Sequence, residues 1–494
     1  GKQSRRMDQP DRKQRFKKWL TFAVRWGIAI AGITIVLWNI SFHDRVALFD
    51  AATGTVQKPR VLSDAEENSS AYTIVPLDGG EPRAVSREEV WVRPDRASVH
   101  VRGADGGVRK AKLVAVKPGD WVGPDRGVRQ VLVEGADDKL EPLDVARVVE
   151  GPDLRAKAPF VEVGINRLLR QADTGLLLVA VFMLPLNYVL TSVRWHLLLE
   201  SLGIRIGPFR ALVINLVGAF YNAFMPGTTG GDLVKAYYAA RHTDLRTRAV
   251  LSVLIDRVVG LLALMILGGA AAAYQWHIPD CRRVAVLTGI LLGSVAVGGI
   301  VFYSRRLRRY SGLDFLLRRL PMQRQVHKAV EAMEIYRHRP LALLVALLMS
   351  FPAHAISIMS ATFAGRAFGL KLDAFYYWVV VPVVALVGAI PISPQGAGVM
   401  EFFAVELTRR HGVSISQAFI LTMSIRLIQV FWNLVSGVFV LTGGYQRPSE
   451  KETAALESDA AAAPEPDMGD AGDPTAAPDA PDVAQSMNPH PRTS

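Results

Sequence analysis

A single cysteine, Cys281, stands among the 494 residues, which excludes an intrachain disulfide and any metal site built on several thiolates. The chain lacks a Walker A loop, a G-x-S-x-G elbow, an H-E-x-x-H pair and a dinucleotide fingerprint, so ATP-driven transport and the common soluble active sites are not expected within it. Zinc spacings and RNA-binding signatures are missing too. The formal charge of +12 is therefore read as membrane topology and contact with anionic lipid, not as nucleic-acid binding. No cofactor and no metal are expected. Charged residues make up only 21% against 50% hydrophobic, and the apolar residues fall in long blocks instead of at amphipathic spacing.

Several blocks approach 20 residues, about the length a helix rising 1.5 Å per residue needs to cross hydrocarbon roughly 30 Å thick. They predict an all-α polytopic membrane protein. Residues 1–25 carry nine Lys or Arg against two Asp and precede an apolar run over 26–42 with no A-x-A cleavage site after it, which predicts a transmembrane anchor with its N-terminus inside. Residues 43–173 are polar, with Gly/Pro/Asp turns between β-rich runs such as Ala97 to Val101, Lys112 to Val116 and Val128 to Glu134. They predict a small β-rich extracytoplasmic domain. Residues 446–494 have no aromatic side chain, eight prolines, and ten acidic against three basic residues, the composition of a disordered cytoplasmic tail.

Between these lies the membrane domain, 174–445. Spans are expected at 174–193, 249–274, 284–303, 341–364 and 415–443. Two further apolar stretches, 209–242 and 374–413, break at Met225-Pro226-Gly227-Thr228-Thr229-Gly230-Gly231 and at Ile390-Pro391-Ile392-Ser393-Pro394-Gln395-Gly396-Ala397-Gly398. Broken helices at membrane depth are tolerated only where protein buries them or where they line a cavity, so each stretch is read as a re-entrant hairpin.

The two breaks match each other. Met225 to Tyr238 set over Ile390 to Phe403 without gaps pairs Pro226 with Pro391, Gly231 with Gly396, Val234 with Val399 and two successive aromatics. After a four-residue insertion Ala249 falls on Ala418, Arg257 on Arg426 and Gly268 on Gly437. The loop 304–340, with ten Lys or Arg against three acids, fixes the cytoplasmic side. Arg194, Arg205, Arg210, Arg241, Arg246 and Arg248 then fall inside, whereas Arg282 and Arg283 dissent. The second helix, hairpin, helix unit is accordingly upside down relative to the first, an inverted-repeat architecture of transporters with substrate near the midplane.

Arg257 and Arg426 lie about 12 and 16 Å into their spans. An intramembrane charge must be paired or hydrated. Two readings stay open: the arginines hold an anionic head group, for which a guanidinium fork suits a phosphate, or they cap hairpin carbonyls and pair with Asp232, Asp256 or Glu401. Gly230, Gly231 and Asp232, like Gly396 and Gly398, open the second half of a hairpin and present N–H groups that attract anions. Asp232 is also a candidate N-cap or coupling group, and Lys235 a partner for Asp232 or for a phosphate. Glu401 complements a helix N-terminus. Asn215, Asn222, Thr228, Thr229, Ser393 and Gln395 offer neutral donors to a head group or to broken backbone, and His354 is a candidate for bonding a freed carbonyl.

Met225 to Lys235, then Ala249 to Gly260 with its Asp256-Arg257 pair, then Pro391 to Glu401 with Gly396-x-Gly398-x-x-Glu401, resemble the lysylphosphatidylglycerol synthase transmembrane region, or flippase-like, family over about 170–445. The resemblance implies a bacterial or archaeal plasma-membrane protein that moves lipid or glycolipid head groups between leaflets. Lys235 stands where the family pattern leads one to expect Arg, and Met400 precedes the glutamate where a basic residue is common, so head-group selectivity does not carry over. No aminoacyl-transferase domain follows, and aminoacylation is not expected. Two other functions stay open: a membrane-embedded head-group transferase using Asp232, Asp256 and Glu401, and an assembly partner that recruits an envelope protein through residues 43–173.

Overall fold

The computed structural model describes residues 40–303 and 339–446, apart from short segments at 63–68, 78, 93, 95–97, 104–105, 119–126, 135–138, 150–153, 155–159, 225–229, 244, 391–392, 394–395 and 409–410, together with isolated positions that include Tyr336 and Glu452. The basic segment 1–25, nearly all of the anchor 26–42, the loop 304–338 apart from Tyr336, and most of 446–494 lie outside the described residues.

The β-rich region begins with β1 (Arg45–Asp50), β2 (Thr55–Gln57), β3 (Arg60–Val61), β4 (Ala71–Val75), β5 (Arg83–Ser86) and β6 (Val90–Trp91). It continues with β7 (Ser98–Arg102), β8 (Val108–Pro118), β9 (Val128–Glu134), β10 (Leu140–Asp144) and β11 (Val161–Glu162). All pairings are antiparallel; one sheet runs β11-β1-β3-β4-β5 with β2 and β6 also on β1, the other β10-β9-β8-β7. Alternation makes the strands: Val99 and Val101 are buried while His100 and Arg102 between and beyond them are exposed. Val46, Tyr72 and Ile74 of the first sheet share one apolar core with Val101, Leu113 and Val131 of the second.

The helical part opens with the short α1 (Ile165–Arg170), then α2 (Thr174–Ser201), α3 (Pro208–Phe224), α4 (Gly230–Ala240), α5 (Arg246–Tyr274) and α6 (Pro279–Tyr303). After the loop come α7 (Pro340–Ala367), α8 (Tyr377–Ala389), α9 (Val399–Thr408), α10 (Ile415–Val435) and α11 (Gly437–Gly443). Five stretches are long and apolar enough to cross a membrane: α2, α5, α6, α7 and the α10–α11 run. The protein is a multi-pass membrane protein. The two interrupted stretches break where the Pro/Gly clusters stand, giving α3 with α4 and α8 with α9.

Span boundaries differ from expectation in one place that matters. The first span does not end at residue 193; α2 continues for 28 residues to Ser201, because Trp195, Leu198 and Leu199 keep the apolar pattern going and are fully buried. Arg194, expected in a cytoplasmic loop, therefore lies inside a helix that packs along α7.

Glycines allow the closest approaches. A Cβ on Gly231 would run into the Gly218 carbonyl oxygen and come within 2.6 Å of Asn222, so α3 and α4 touch backbone to backbone. A Cβ on Gly396 would lie 2.6 Å from the Gly388 Cα, and Gly396 also has φ +70°, a left-handed conformation that suits glycine.

The β-rich region is tied to the helices at its two chain crossings. Asp44, buried, accepts from the Gly164 N–H at 2.8 Å and from Arg167 Nη1 at 2.8 Å, while the Ser41 N–H donates to Ser416 Oγ at the start of α10.

Candidate functional site

α4 is only 11 residues long, yet it carries Asp232 and Lys235 one turn apart on its α5-facing side. Each meets one of two consecutive α5 residues. Arg257 Nη1 donates to Asp232 Oδ2 at 2.7 Å, and Lys235 Nζ to Asp256 Oδ2 at 3.1 Å, so the short helix is braced to α5 by two pairs of opposite polarity. The expected Lys235–Asp232 pairing is not formed: Lys235 turns instead to Asp256 and lies 4.1 Å over the Trp195 ring, a face that attracts a cation.

Asp256 has a second cation. Arg194 Nε donates to Asp256 Oδ1 at 2.8 Å, and its Nη1 to Ser350 Oγ at 2.8 Å, linking α2, α5 and α7. Gly260 makes room for this guanidinium, since a Cβ there would stand 3.1 Å from Nη1. The side chains of Arg194, Lys235 and Asp256 are 7%, 6% and 11% exposed, so two cations and one carboxylate share a closed interior site. Arg194 is the residue missed in the sequence; the signal was the apolar run Trp195 to Leu199 that resumes after it.

The other cluster sits at the second break. Arg426 Nη2 lies 2.9 Å from Glu401 Oε1 and 3.6 Å from Met400 Sδ. Glu401 Oε2 accepts from the Gly398 N–H at 2.7 Å, so that N–H, expected to be open to an anion, is already taken by the chain's own carboxylate. Arg426 Nε and the buried Ser393 Oγ have no hydrogen-bond partner among the described residues.

Several expectations are narrowed in the same way. Asn222 Oδ1 accepts from the Gly231 N–H at 2.8 Å, tying together the two sides of the first break. Asp232 is the third residue of α4 and is used by Arg257, not as an N-cap. Asn215 Nδ2 donates to Ser192 Oγ on α2, and His354 Nε2 bonds the Gly260 carbonyl oxygen of a neighbouring helix at 2.8 Å. Gly230 opens α4; Thr228, Thr229 and Gln395 lie outside the described residues. Arg257 and Arg426 each end on a carboxylate of the short helix that follows a break. Among the described residues no hydrogen bond or ion pair joins one cluster to the other.

The model of the family described as Lysylphosphatidylglycerol synthase TM region matches residues 163–437, more than half of the chain. The chain belongs to this family. The match opens just before α1 and closes at the first residue of α11, so it contains every charged residue of both clusters and none of the β-rich strands before Val163. In this member of the LPG synthase TM family, the charged chemistry and the family region coincide.

Proposed function

We propose that this protein moves a lipid or glycolipid head group across the plasma membrane of a bacterial or archaeal cell. The two breaks are re-entrant hairpins of inverted repeats and meet the head group alternately from the two sides, while its acyl chains stay in the bilayer. The observation that carries this reading is the equivalence of Arg257 and Arg426: both lie deep in apolar spans, at matched positions, and each faces a carboxylate on the helix after a break. A phosphate would replace Asp232 or Glu401 as the anionic partner of the guanidinium, which it can meet with charge-assisted hydrogen bonds. Arg426 Nε and Ser393 Oγ add donors at the second hairpin, Gly230, Gly231, Asn222, Gly396 and Gly398 stand at the breaks, and Thr228, Thr229 and Gln395 are further candidates by sequence position.

The Arg257–Asp232 pair is 28% and 32% exposed, the Arg426–Glu401 pair 18% and 2%. On this reading the first hairpin is open to a head group and the second is closed. Lys235 and Asp256, buried on each other and on Arg194, hold α4 in place instead of contacting the lipid. The β-rich region stands outside the cell, where it offers a surface to an envelope protein.

The test is movement of fluorescent lipids in proteoliposomes, wild type against Arg257→Leu/Arg426→Leu, over anionic, zwitterionic and isoprenoid-linked head groups. Loss of movement in the double variant supports the assignment; unchanged movement sinks it. A covalently altered lipid in cells overproducing the protein would transfer the weight to a head-group transferase.

A further inference from the structure

Tyr221 of α3 and Tyr237 and Tyr238 of α4 point their hydroxyls at the same piece of chain, the segment that leaves α11. Tyr221 Oη donates to the Tyr445 carbonyl oxygen at 2.9 Å, Tyr238 Oη to the Gln446 carbonyl oxygen at 2.6 Å, and Tyr237 Oη to the Glu452 carboxylate. The Tyr238 and Tyr445 rings meet edge to face with centroids 4.9 Å apart. Three hydroxyls from the two halves of the first break thus hold Tyr445, Gln446 and Glu452, more than a solvated tail root requires.

The segment continues with a distinct charge. From Glu452 to Pro491 the sequence holds nine acidic residues and no Lys or Arg. The gripped end lies beside cations: the Arg241 guanidinium is 5.8 Å from the Tyr237 ring. Arg205 between α2 and α3, Arg210 in the first turn of α3, Arg241 just after α4, and Arg246 and Arg248 in the first turn of α5 are all exposed. Arg248 Nη1 donates to the Leu202 carbonyl oxygen, which brings the two turns together.

We propose that this arginine surface is the docking site of the chain's own acidic C-terminal segment, whose root Tyr221, Tyr237 and Tyr238 hold against the two helices of the first break. The docking is independent of the head-group reading above. Anionic lipid competes for the same surface, since carboxylates and lipid phosphates seek the same guanidinium forks.

The docking is read directly by proteolysis of the full-length protein in nanodiscs, using a protease that cuts after glutamate, for which the segment offers Glu450, Glu452, Glu457 and Glu465. In zwitterionic lipid at low salt the C-terminal fragment should be released slowly. Tyr237→Phe/Tyr238→Phe keeps the rings but loses two hydrogen bonds, and release should be about tenfold faster. About 1 M salt, or one-third anionic lipid, should speed release from wild type, because the first screens the charges and the second occupies the arginines. Equal rates in wild type, variant, salt and anionic lipid overturn the docking.

Discussion

Arg426 Nη2 sits 2.9 Å from Glu401 Oε1, and the Glu401 side chain is only 2% exposed. Breaking a buried pair by removing one partner leaves an uncompensated charge and costs about 3–5 kcal/mol, whereas removing both partners is far milder. Glu401→Gln should therefore lower the thermal stability of the detergent-solubilised protein sharply, and Arg426→Leu/Glu401→Leu should recover most of the loss. Asp232→Asn breaks the less buried pair, about a third exposed, and should cost less than Glu401→Gln. If Asp232→Asn proves the more damaging, burial does not rank the two sites.

Asp256 between Arg194 and Lys235 gives a second ordering. Asp256→Asn strands two buried cations beside each other, which should cost as much as or more than breaking a single buried pair, about 3–5 kcal/mol. Arg194→Met leaves the Lys235–Asp256 pair neutral and sacrifices mainly the bonds to Asp256 and Ser350, about 1–3 kcal/mol. Melting curves of the purified variants would decide it, and an inverted order would mean that Arg194 is held by more than Asp256 and Ser350.

Glycine positions separate packing from propensity. Gly396→Ala meets both a left-handed φ and the Gly388 backbone, and Gly231→Ala meets the Gly218 carbonyl and Asn222, so each should destabilise by about 1–3 kcal/mol or more. Gly293, in the middle of α6, has nothing within 4 Å of where a Cβ would stand. Gly293→Ala should be neutral or stabilising by up to about 1 kcal/mol. A large loss from Gly293→Ala would point to a partner on that face of α6.

The fold was legible wherever one residue type decides a local outcome. Pro226 with its glycines and Pro391 with Gly396 and Gly398 placed both breaks, and the alternation around Val99 and Val101 placed a strand to within one residue. What stayed hidden was tertiary. Arg194 reads as a loop residue if a span is about 20 residues long, and only packing against Asp256 and Ser350 makes it an interior side chain. For Lys235 the sequence offers Asp232, its neighbour on one helix, or a phosphate, whereas the carboxylate it meets belongs to a residue 21 positions away. The Asp44–Arg167 link spans 123 positions and carries no local signal at all.

Sidedness remains to be measured, and the count of crossings makes a parity prediction. Between Leu77 and Leu320 the chain passes through α2, α5 and α6, while α3 with α4 adds an even number whether that hairpin dips or crosses twice. The two positions must then lie on opposite sides. Between Leu320 and Ser458 come α7 and the α10–α11 run, again with an even contribution from α8 and α9, so these two positions share a side. The ten basic residues of 304–340 assign that side to the cytoplasm. With buried Cys281 changed to Ser, single cysteines at Leu77→Cys, Leu320→Cys and Ser458→Cys can be labelled in intact cells by a membrane-impermeant maleimide. Leu77→Cys should react at once, and the other two only after the membrane is opened. Should Leu77→Cys and Leu320→Cys label together, the first break crosses an odd number of times, and the inverted-repeat reading goes with it.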